Sequence, residues 1–148
     1  MKIGSVLFVL AVVLAGSAIG ILNIPAGWYA ALVKPAFNPP DWVFGPVWTV
    51  LYIFIGIAGW RTWQQEGFSK PFMVWLIQMA LNYIWSPIFF GLHRLETALF
   101  ILVLLLLSIL IFIQERWHHD RLSATLFLPY AAWVTFAGIL NLNLILLN

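Results

Sequence analysis

The chain of 148 residues contains no cysteine and very few charged side chains, with seven Lys and Arg against five Asp and Glu. Without cysteine it can form neither a disulfide framework nor a thiolate metal site. A soluble domain carries roughly 25% charged residues, whereas only 8% are charged here. Seven basic residues are also too few to follow a nucleic-acid backbone. These absences exclude a cytosolic enzyme, a disordered tail and a nucleic-acid-binding protein.

What the chain has instead is apolar surface: 64% of its residues are hydrophobic. Five apolar stretches are each long enough to cross a hydrocarbon core of about 30 Å as a helix. We expect helices at about 3–24, 42–63, 71–90, 97–114 and 122–147. The sequence therefore predicts an all-α integral membrane protein that embeds in the lipid bilayer, with one domain over residues 1–148 and a five-transmembrane-helix bundle.

Two local features bear on these boundaries. A cleaved signal peptide is an alternative for the N-terminus, but the apolar run continues to Ile24 and is longer than a signal-peptide core. Pro87 is expected to kink or end the third helix, since it lacks an N–H group. Pro71 and Pro129 fall early in their helices, where a missing N–H is tolerated.

The basic residues predict the orientation in the membrane. One side of the bundle receives Lys2, Arg61, Lys70, Arg116 and Arg121. The other side receives only Lys34 and Arg94. By the positive-inside rule this distribution predicts a cytoplasmic N-terminus, in either the inner or the outer membrane of a bacterium.

All acidic, basic and histidine side chains are expected in loops or at helix ends. A proton-coupled exporter needs a titrating group within the membrane, and a haem-carrying bundle needs axial ligands that face its core. The predicted spans provide neither, so the sequence excludes both classes of protein. The run His118-His119-Asp120 favours a solvated loop over a metal site, because no further ligand accompanies it at metal-site spacing. The sequence thus predicts no metal, no bound cofactor and no acid–base catalytic group.

Uncharged polar and aromatic side chains are concentrated in the outer halves of the second, third and fifth predicted helices, on the side of the membrane opposite the N-terminus. At helical spacing they form stripes: Trp48 and Tyr52 on the second helix, Asn82, Trp85, Ser86 and Phe89 on the third, and Trp133, Ala137 and Asn141 on the fifth. Together they predict an aromatic-walled ligand pocket with a few polar groups, open toward one side. The alternative is that the polar groups join helices and the aromatic groups fill the core.

The loop of residues 25–41 is long for a simple connection and lies on the side of the predicted pocket mouth. Its prolines, including Pro39 and Pro40, stiffen the backbone. A lid over the pocket and an interfacial anchor using Trp28 and Trp42 are equally compatible with this composition.

In these segments the chain resembles the translocator protein family (TspO/MBR), also called tryptophan-rich sensory proteins or peripheral benzodiazepine receptors. The matching segments are residues 28–29, 34–44, 47–52, 81–86, 89–91, 129–133 and 140–141. They follow the family order over essentially the whole chain, and together they are highly specific to the family. The chain resembles a bacterial member of it.

The resemblance implies a five-helix bundle, usually a homodimer, whose cavity lies beneath the first loop and binds porphyrins, sterols or synthetic benzodiazepine-type ligands. Carried over by motif, the implied contacts are Trp48, Tyr52, Asn82, Ser86, Trp133 and Ala137, with Trp28, Pro39 and Pro40 as the lid. The ligand is expected to be protoporphyrin or another tetrapyrrole. Our first hypothesis is a binding protein that acts as sensor, carrier or stress regulator.

Two alternatives to that hypothesis remain. Some bacterial members are reported to promote light-dependent porphyrin breakdown, which the resemblance would assign to Trp48 and Trp133. The other alternative is an assembly or scaffold protein with an incidental cavity.

The chain departs from the family pattern at four places. Phe37 replaces a usual Trp, and Ser86 replaces an Asn that some members carry. The C-terminal segment lacks the Tyr followed by Lys or Arg of the sterol pattern, so we do not expect high-affinity cholesterol binding. A GxxxG motif occurs only at Gly16 and Gly20, on the first helix rather than on the third, where bacterial members often pair.

Overall fold

The computed structural model describes residues 2–25 and 27–148, and all regular structure in these residues is helical. The helices are α1 Ile3–Leu22, α2 Gly27–Ala31, α3 Phe44–Glu66, α4 Lys70–Ser86, α5 Leu95–Arg116, α6 Arg121–Leu126 and α7 Leu128–Leu147. Among the described residues, five helical stretches are long and apolar enough to cross a membrane: Ile3–Leu22, Asp41–Glu66, Lys70–Gly91, Leu95–Arg116 and Arg121–Leu147. The predicted all-α membrane fold with five spans is confirmed.

The third span changes its helical form at Pro87. The α-helix ends at Ser86, and residues Pro87–Gly91 continue as one π-helical turn, in which the Leu92 N–H donates to the Pro87 carbonyl at 2.9 Å. Proline has no N–H to give to the preceding turn, which is why the α-helical ladder stops there. The predicted kink or end at this residue is therefore present as a wider turn, of a kind often found at functional sites.

The fifth span is two helices rather than the single one predicted over residues 122–147. It breaks at Phe127, between α6 and α7, and Pro129 stands in the first turn of α7. The proline ring would clash with the carbonyl four residues earlier in a continuous helix. A new helix starting at Leu128 removes this clash and leaves the missing N–H where no partner is needed.

The five spans pack as a ring. The helix α1 packs mainly on α3, α3 on α6, α6 and α7 on α5, and α5 on α4, while α4 also contacts α1 and α3. The least buried span is α1, whose buried residues are only Ser5, Val12 and Gly16. The helix α3 packs on α6 more closely than on α7. The half of the bundle beyond α6 is therefore left open between α3 and α7.

The core lies between α3, α4, α5 and the α6–α7 break. Ile55, Ala58, Ile109 and Phe112 are completely buried there, and Phe127 fills the space at the break against Phe112. Large apolar side chains on the outer faces of the spans are exposed. In a chain of this hydropathy that exposed surface is the face that contacts lipid.

A buried ionic cluster closes the end of the bundle opposite residues 25–41. The Arg61 guanidinium makes two hydrogen bonds to the Asp120 carboxylate, at 3.0 and 2.8 Å, and the fully buried Arg116 contacts Gln65 and Glu66. Asp120 is thus a buried partner of two arginines (Arg116 lies 3.8 Å away), and its assignment to a solvated loop was wrong. The reason is long-range pairing with Arg61, which local sequence does not reveal.

This environment sets the charge of Asp120. Burial by itself would raise the pKa of the carboxyl, but hydrogen bonds from Arg61 and Ser123 and the charge of Arg61 outweigh it. The result is a pKa lowered from 3.8 to about 2, so Asp120 stays ionised at neutral and mildly acidic pH. Its oxygens also accept from the Ser123 N–H and hydroxyl, which caps the start of α6.

Candidate ligand-binding cavity

A cavity of about 560 Å³ occupies the half of the bundle next to residues 25–41. Every span contributes to it, and so does the connection between α1 and α3. The lining residues deepest in the bundle, one from each span, are Gly16, Tyr52, Asn82, Leu105 and Trp133. The cavity therefore extends from this layer, near the middle of the bundle, to the end covered by the first connection.

Nine of the twelve residues predicted to contact a ligand line this cavity. They are Trp48, Tyr52, Asn82, Trp85, Ser86, Phe89, Trp133, Ala137 and Asn141. Their common position follows from the helical stripes, because residues three or four apart on α3, α4 and α7 face the same interior. The π-helical turn after Ser86 keeps Phe89 on this face, where it stacks on Trp85 with ring centroids 4.9 Å apart.

The inner end of the cavity is held by a chain of hydrogen bonds across three helices. The Tyr52 hydroxyl donates to the Asn82 amide oxygen at 2.8 Å, and the Asn82 amide nitrogen donates to the Tyr130 hydroxyl at 2.6 Å. Tyr130 in turn donates to the Gln78 amide oxygen at 2.8 Å. Within a membrane such side-chain bonds fix helices against one another. Tyr130 and Gln78 lie behind the lining and position its two polar residues.

Three tryptophan rings give the cavity its aromatic wall. Trp48 packs against Tyr52, with ring centroids 5.5 Å apart, and Trp133 packs edge-on against Phe44 at 5.8 Å. The indole nitrogens of Trp85 and Trp133 are buried, and within the described part of the chain neither has a hydrogen-bond acceptor. Buried polar groups nearly always have partners, so two unpaired donors in a cavity wall are places where a ligand acceptor could bind.

Asn141 has a different hydrogen-bonding role from Asn82. In the orientation that satisfies both of its polar atoms, its amide donates to the Leu95 carbonyl and accepts from the Leu99 N–H, each at 3.1 Å. The side chain thus joins α7 to the start of α5. The polar atoms of Asn141 are therefore used in helix packing. Asn141 lines the cavity by van der Waals contact and offers it no free hydrogen-bond donor.

The three predicted lid residues lie outside the cavity lining. Trp28 stacks on His93, with centroids 4.1 Å apart, and meets Phe89 edge-on. Pro39 and Pro40 lead into the short 3₁₀ turn Asp41–Val43 that precedes α3. The connection does cover the cavity, but it does so with Pro25, Tyr29, Asn38 and Asp41. Ala26, within the predicted loop of residues 25–41, falls outside the described residues.

The segment that covers the cavity is fastened to the rest of the bundle at Tyr29 and Val33. Tyr29 is buried against Phe89 and Phe90, and the Lys34 ammonium donates to the Tyr29 carbonyl at 2.8 Å. The Asn148 side chain pairs with both backbone polar groups of Val33, at 2.9 and 3.0 Å. Trp42 is exposed, as an interfacial anchor requires. The segment therefore covers the cavity, while the role of Trp42 as an interfacial anchor stays a prediction.

Sequence reasoning missed the contributions of α1 and α5. Small side chains of α1 line the cavity at Gly16, Ser17 and Gly20, and α5 contributes Leu102 and Leu105. The GxxxG spacing was the available signal, since small residues mark a face of close approach. Here that approach is internal: a Cβ at Gly16 would overlap the ring of Tyr52. At Gly16 this face of α1 is therefore occupied within the chain itself, whereas at Gly20 it faces the open space of the cavity.

The lining is nearly free of charge. Among the lining residues Asp41 is the one that carries a charged side chain, at the covered end, and no Lys, Arg or His contributes. Burial raises the pKa of the neighbouring Tyr29 hydroxyl, which therefore stays neutral. The arrangement offers aromatic faces and hydrogen bonds rather than proton transfer, and it fits a flat, largely apolar ligand.

Comparison with known proteins agrees with this architecture. The model of the TspO/MBR family matches residues 6–147. Protein CrtK of Rhodobacter capsulatus is 41% identical over 135 residues, covering 88% of this chain and 84% of the relative. The tryptophan-rich protein TspO of Archaeoglobus fulgidus is 39% identical over 99% of this chain and 95% of its own. The translocator protein of Homo sapiens is 38% identical over 77% and 70%. The chain is thus an integral, multi-pass membrane protein that belongs to the TspO/MBR family.

Proposed function

We propose that the protein binds porphyrins or other tetrapyrroles in this cavity and acts as a sensor, carrier or stress regulator for them. The observation that carries the proposal is the indole wall, in which the N–H groups of Trp85 and Trp133 are buried and have no acceptor among the residues that the structure describes. A flat aromatic macrocycle would stack on such rings and could supply the missing acceptors. The volume of about 560 Å³ lies within the range of small-molecule sites.

The charge distribution adds a constraint on how such a ligand would lie. A porphyrin dicarboxylate cannot bring its two carboxylates to the inner end, because the lining there offers no cation to compensate them. Its apolar edge would point toward Tyr52 and Asn82, and its carboxylates toward the covered end, near water. A neutral ester of the same porphyrin should therefore bind at least as well as the free acid.

A titration in the dark tests this proposal. Adding protoporphyrin to the purified protein should shift the Soret band and quench tryptophan fluorescence, with saturation at one porphyrin per chain. Quenching that rises linearly, without saturation, would indicate nonspecific partition into detergent and would overturn the proposal. The dimethyl ester, titrated in parallel, tests the predicted orientation.

The second candidate function is a light-dependent photo-oxidase, favoured by the position of Trp48. Its ring contacts Tyr52 and meets Tyr130 edge-on at 6.3 Å. In air, a photoexcited porphyrin could take an electron from such a cluster and pass it to dissolved O₂, which becomes superoxide. The indole radical cation would lose its proton to water, and the indole and oxygen radicals would then oxidise the macrocycle. Illumination of the saturated complex in air distinguishes the two functions. A porphyrin spectrum that bleaches no faster with protein than without it would reject the enzyme.

We further propose that the N-terminus lies on the cytoplasmic side, as the Lys and Arg distribution predicts. The absence of cysteine makes the test direct, because each variant then carries one reactive thiol. A membrane-impermeant maleimide applied to intact cells should label Phe37→Cys and spare Gln64→Cys. The reverse pattern would overturn the orientation.

A homodimer also belongs to the proposal, and the structure restricts its interface. Gly16 is buried against Tyr52, and Gly20 lines the cavity, so the GxxxG face of α1 points into the bundle. A dimer would have to use another outer helix face. If the protein is a homodimer, light scattering of the purified protein should give twice the chain mass. Because the GxxxG face points into the bundle, Gly20→Leu should leave that mass unchanged.

A further inference from the structure

A second concave surface lies at the end of the bundle opposite the cavity. This groove, of about 370 Å³, runs between the start of α1, the last turns of α3 and the start of α6. Val9, Ile57 and Leu122 form its apolar part, while Lys2, Arg61 and Gln64 supply its polar rim. It shares no residue with the cavity. An apolar strip ending in basic groups at the end of a membrane-spanning bundle is an amphipathic site.

Of the two charged residues that line the groove, Lys2 and Arg61, one has no acidic partner within the described residues. Arg61 commits its Nε and Nη2 to Asp120, and Glu66 is paired with Arg116. Lys2 is exposed and has no acidic partner among the described residues. The Arg61 Nη1 makes no hydrogen bond to the described residues either. The groove thus presents the Lys2 ammonium and the Nη1 of Arg61 as hydrogen-bond donors for a ligand.

We propose that this groove binds one anionic phospholipid. The headgroup phosphate would lie between Lys2, Gln64 and the Nη1 of Arg61, and an acyl chain would follow Val9 and Ile57. One uncompensated positive charge matches a lipid of net charge −1, such as phosphatidylglycerol, better than a zwitterionic lipid. A soluble phosphate would satisfy the rim but leave the apolar strip unoccupied. With the N-terminus on the cytoplasmic side, as proposed above, the groove would be a basic pocket between spans at the cytoplasmic end, which is a typical site for anionic headgroups.

Such a lipid would connect the least buried span to its neighbour. The helix α1 lies against α3 along the groove, and its other half forms the cavity wall at Gly16, Ser17 and Gly20. A lipid bound across α1 and α3 would hold α1 in place, and anything that binds only the folded state stabilises it. The site is independent of any porphyrin binding, because it uses different residues at the other end of the bundle.

Native mass spectrometry of the delipidated protein tests the proposal. Dioleoyl-phosphatidylglycerol should bind with one tight equivalent and dioleoyl-phosphatidylcholine at least about fivefold more weakly, as expected from about 1 kcal/mol per basic residue near an anionic headgroup. Lys2→Gln should weaken phosphatidylglycerol binding by a similar factor, and Lys2→Arg should retain it. Arg94→Gln is the matched control, because it removes an exposed positive charge at the opposite end.

Three results would overturn the proposal. The first is equal binding of the two lipids, and the second is unchanged phosphatidylglycerol binding by Lys2→Gln with an intact helical spectrum. The third is competition by glycerol 1-phosphate as effective as that by the whole lipid, since the apolar strip would then contribute nothing. Gln64→Leu, which removes the amide group from the groove rim, should lower phosphatidylglycerol binding in the same direction as Lys2→Gln.

Discussion

The hydroxyl of Tyr52 on α3 donates a hydrogen bond to the amide oxygen of Asn82 on α4, at 2.8 Å, at the inner end of the cavity. Thirty residues separate the two in sequence. The bond fixes both lining residues at once, since Asn82 passes the chain on to Tyr130. It therefore links the packing of the bundle to the shape of the proposed binding site.

Replacing Asn82 with leucine should therefore lower both stability and binding. The change removes the bonds to Tyr52 and Tyr130, and side-chain bonds within membranes average about 0.6 kcal/mol each, with a maximum near 1.7. We expect a loss of about 1–2 kcal/mol in the free energy of unfolding, measured by denaturant in detergent. Asn143→Leu is the control, because the Asn143 side chain bonds to the Ile139 carbonyl of its own helix. Equal losses in both variants would contradict the assigned role.

Adding a methyl group at Gly16 should deform the cavity from the opposite wall. The new Cβ would overlap the Tyr52 ring, which the bond to Asn82 holds in place, so α1 must move outward. Overpacking of this kind typically costs about 1–3 kcal/mol. We expect Gly16→Ala to lower the melting temperature and to weaken porphyrin binding. Gly138→Ala provides the comparison, since nothing lies within 4 Å of its added Cβ and its stability should not fall. A Gly16→Ala protein with wild-type stability and binding would show that the close approach of Gly16 to Tyr52 does not set the shape of the cavity.

Acid should weaken the ionic cluster at the opposite end in a defined pH range. Because the pKa of Asp120 is lowered from 3.8 to about 2, its ionised form stabilises the fold at pH values above about 4. That stabilisation is lost as the pH falls from about 4 toward 2. With a discount for the partly exposed Arg61 it amounts to about 1–2 kcal/mol. Thermal melts between pH 6 and pH 2 measure it.

The Asp120→Asn variant should melt lower at pH 7 and lose less stability between pH 4 and pH 2 than the wild type. Glu96→Gln is the matched control, because Glu96 is exposed and has no ion pair within the described residues. Its melts should follow the wild type throughout. An Asp120→Asn protein with the wild-type acid profile would assign the acid sensitivity to other groups.

The spans were predictable because each apolar run is by itself long enough to cross the bilayer core, so no tertiary information is needed to find it. The stripes on α3, α4 and α7 followed from helical periodicity alone. They brought Trp48, Asn82 and Trp133 to one cavity, as the sequence predicted. Whether these residues contact a ligand stays a prediction.

The remaining features depend on contacts between distant residues. The burial of Asp120 requires Arg61, which lies 59 residues away, and no local pattern announces that pairing. The break at Phe127 depends on whether Pro129 starts a new helix or interrupts an old one, and both readings satisfy the local rules. In the covering segment, Asn38 and Asp41 reach the cavity while the two prolines between them do not. Only the folded path of the backbone decides which side chains of a turn point inward.

The most direct test of the account compares two tryptophan substitutions in a dark protoporphyrin titration. Trp133 lines the cavity with an unpaired buried N–H, whereas Trp63 is exposed near the opposite end of α3. Trp133→Phe removes the donor and keeps an aromatic ring, so we expect binding to weaken about fivefold, the effect of about 1 kcal/mol for one hydrogen bond. Trp133→Leu should weaken it further, and Trp63→Phe should bind as the wild type does. Saturable binding that is identical in all four proteins would contradict the claim that this cavity is the porphyrin site.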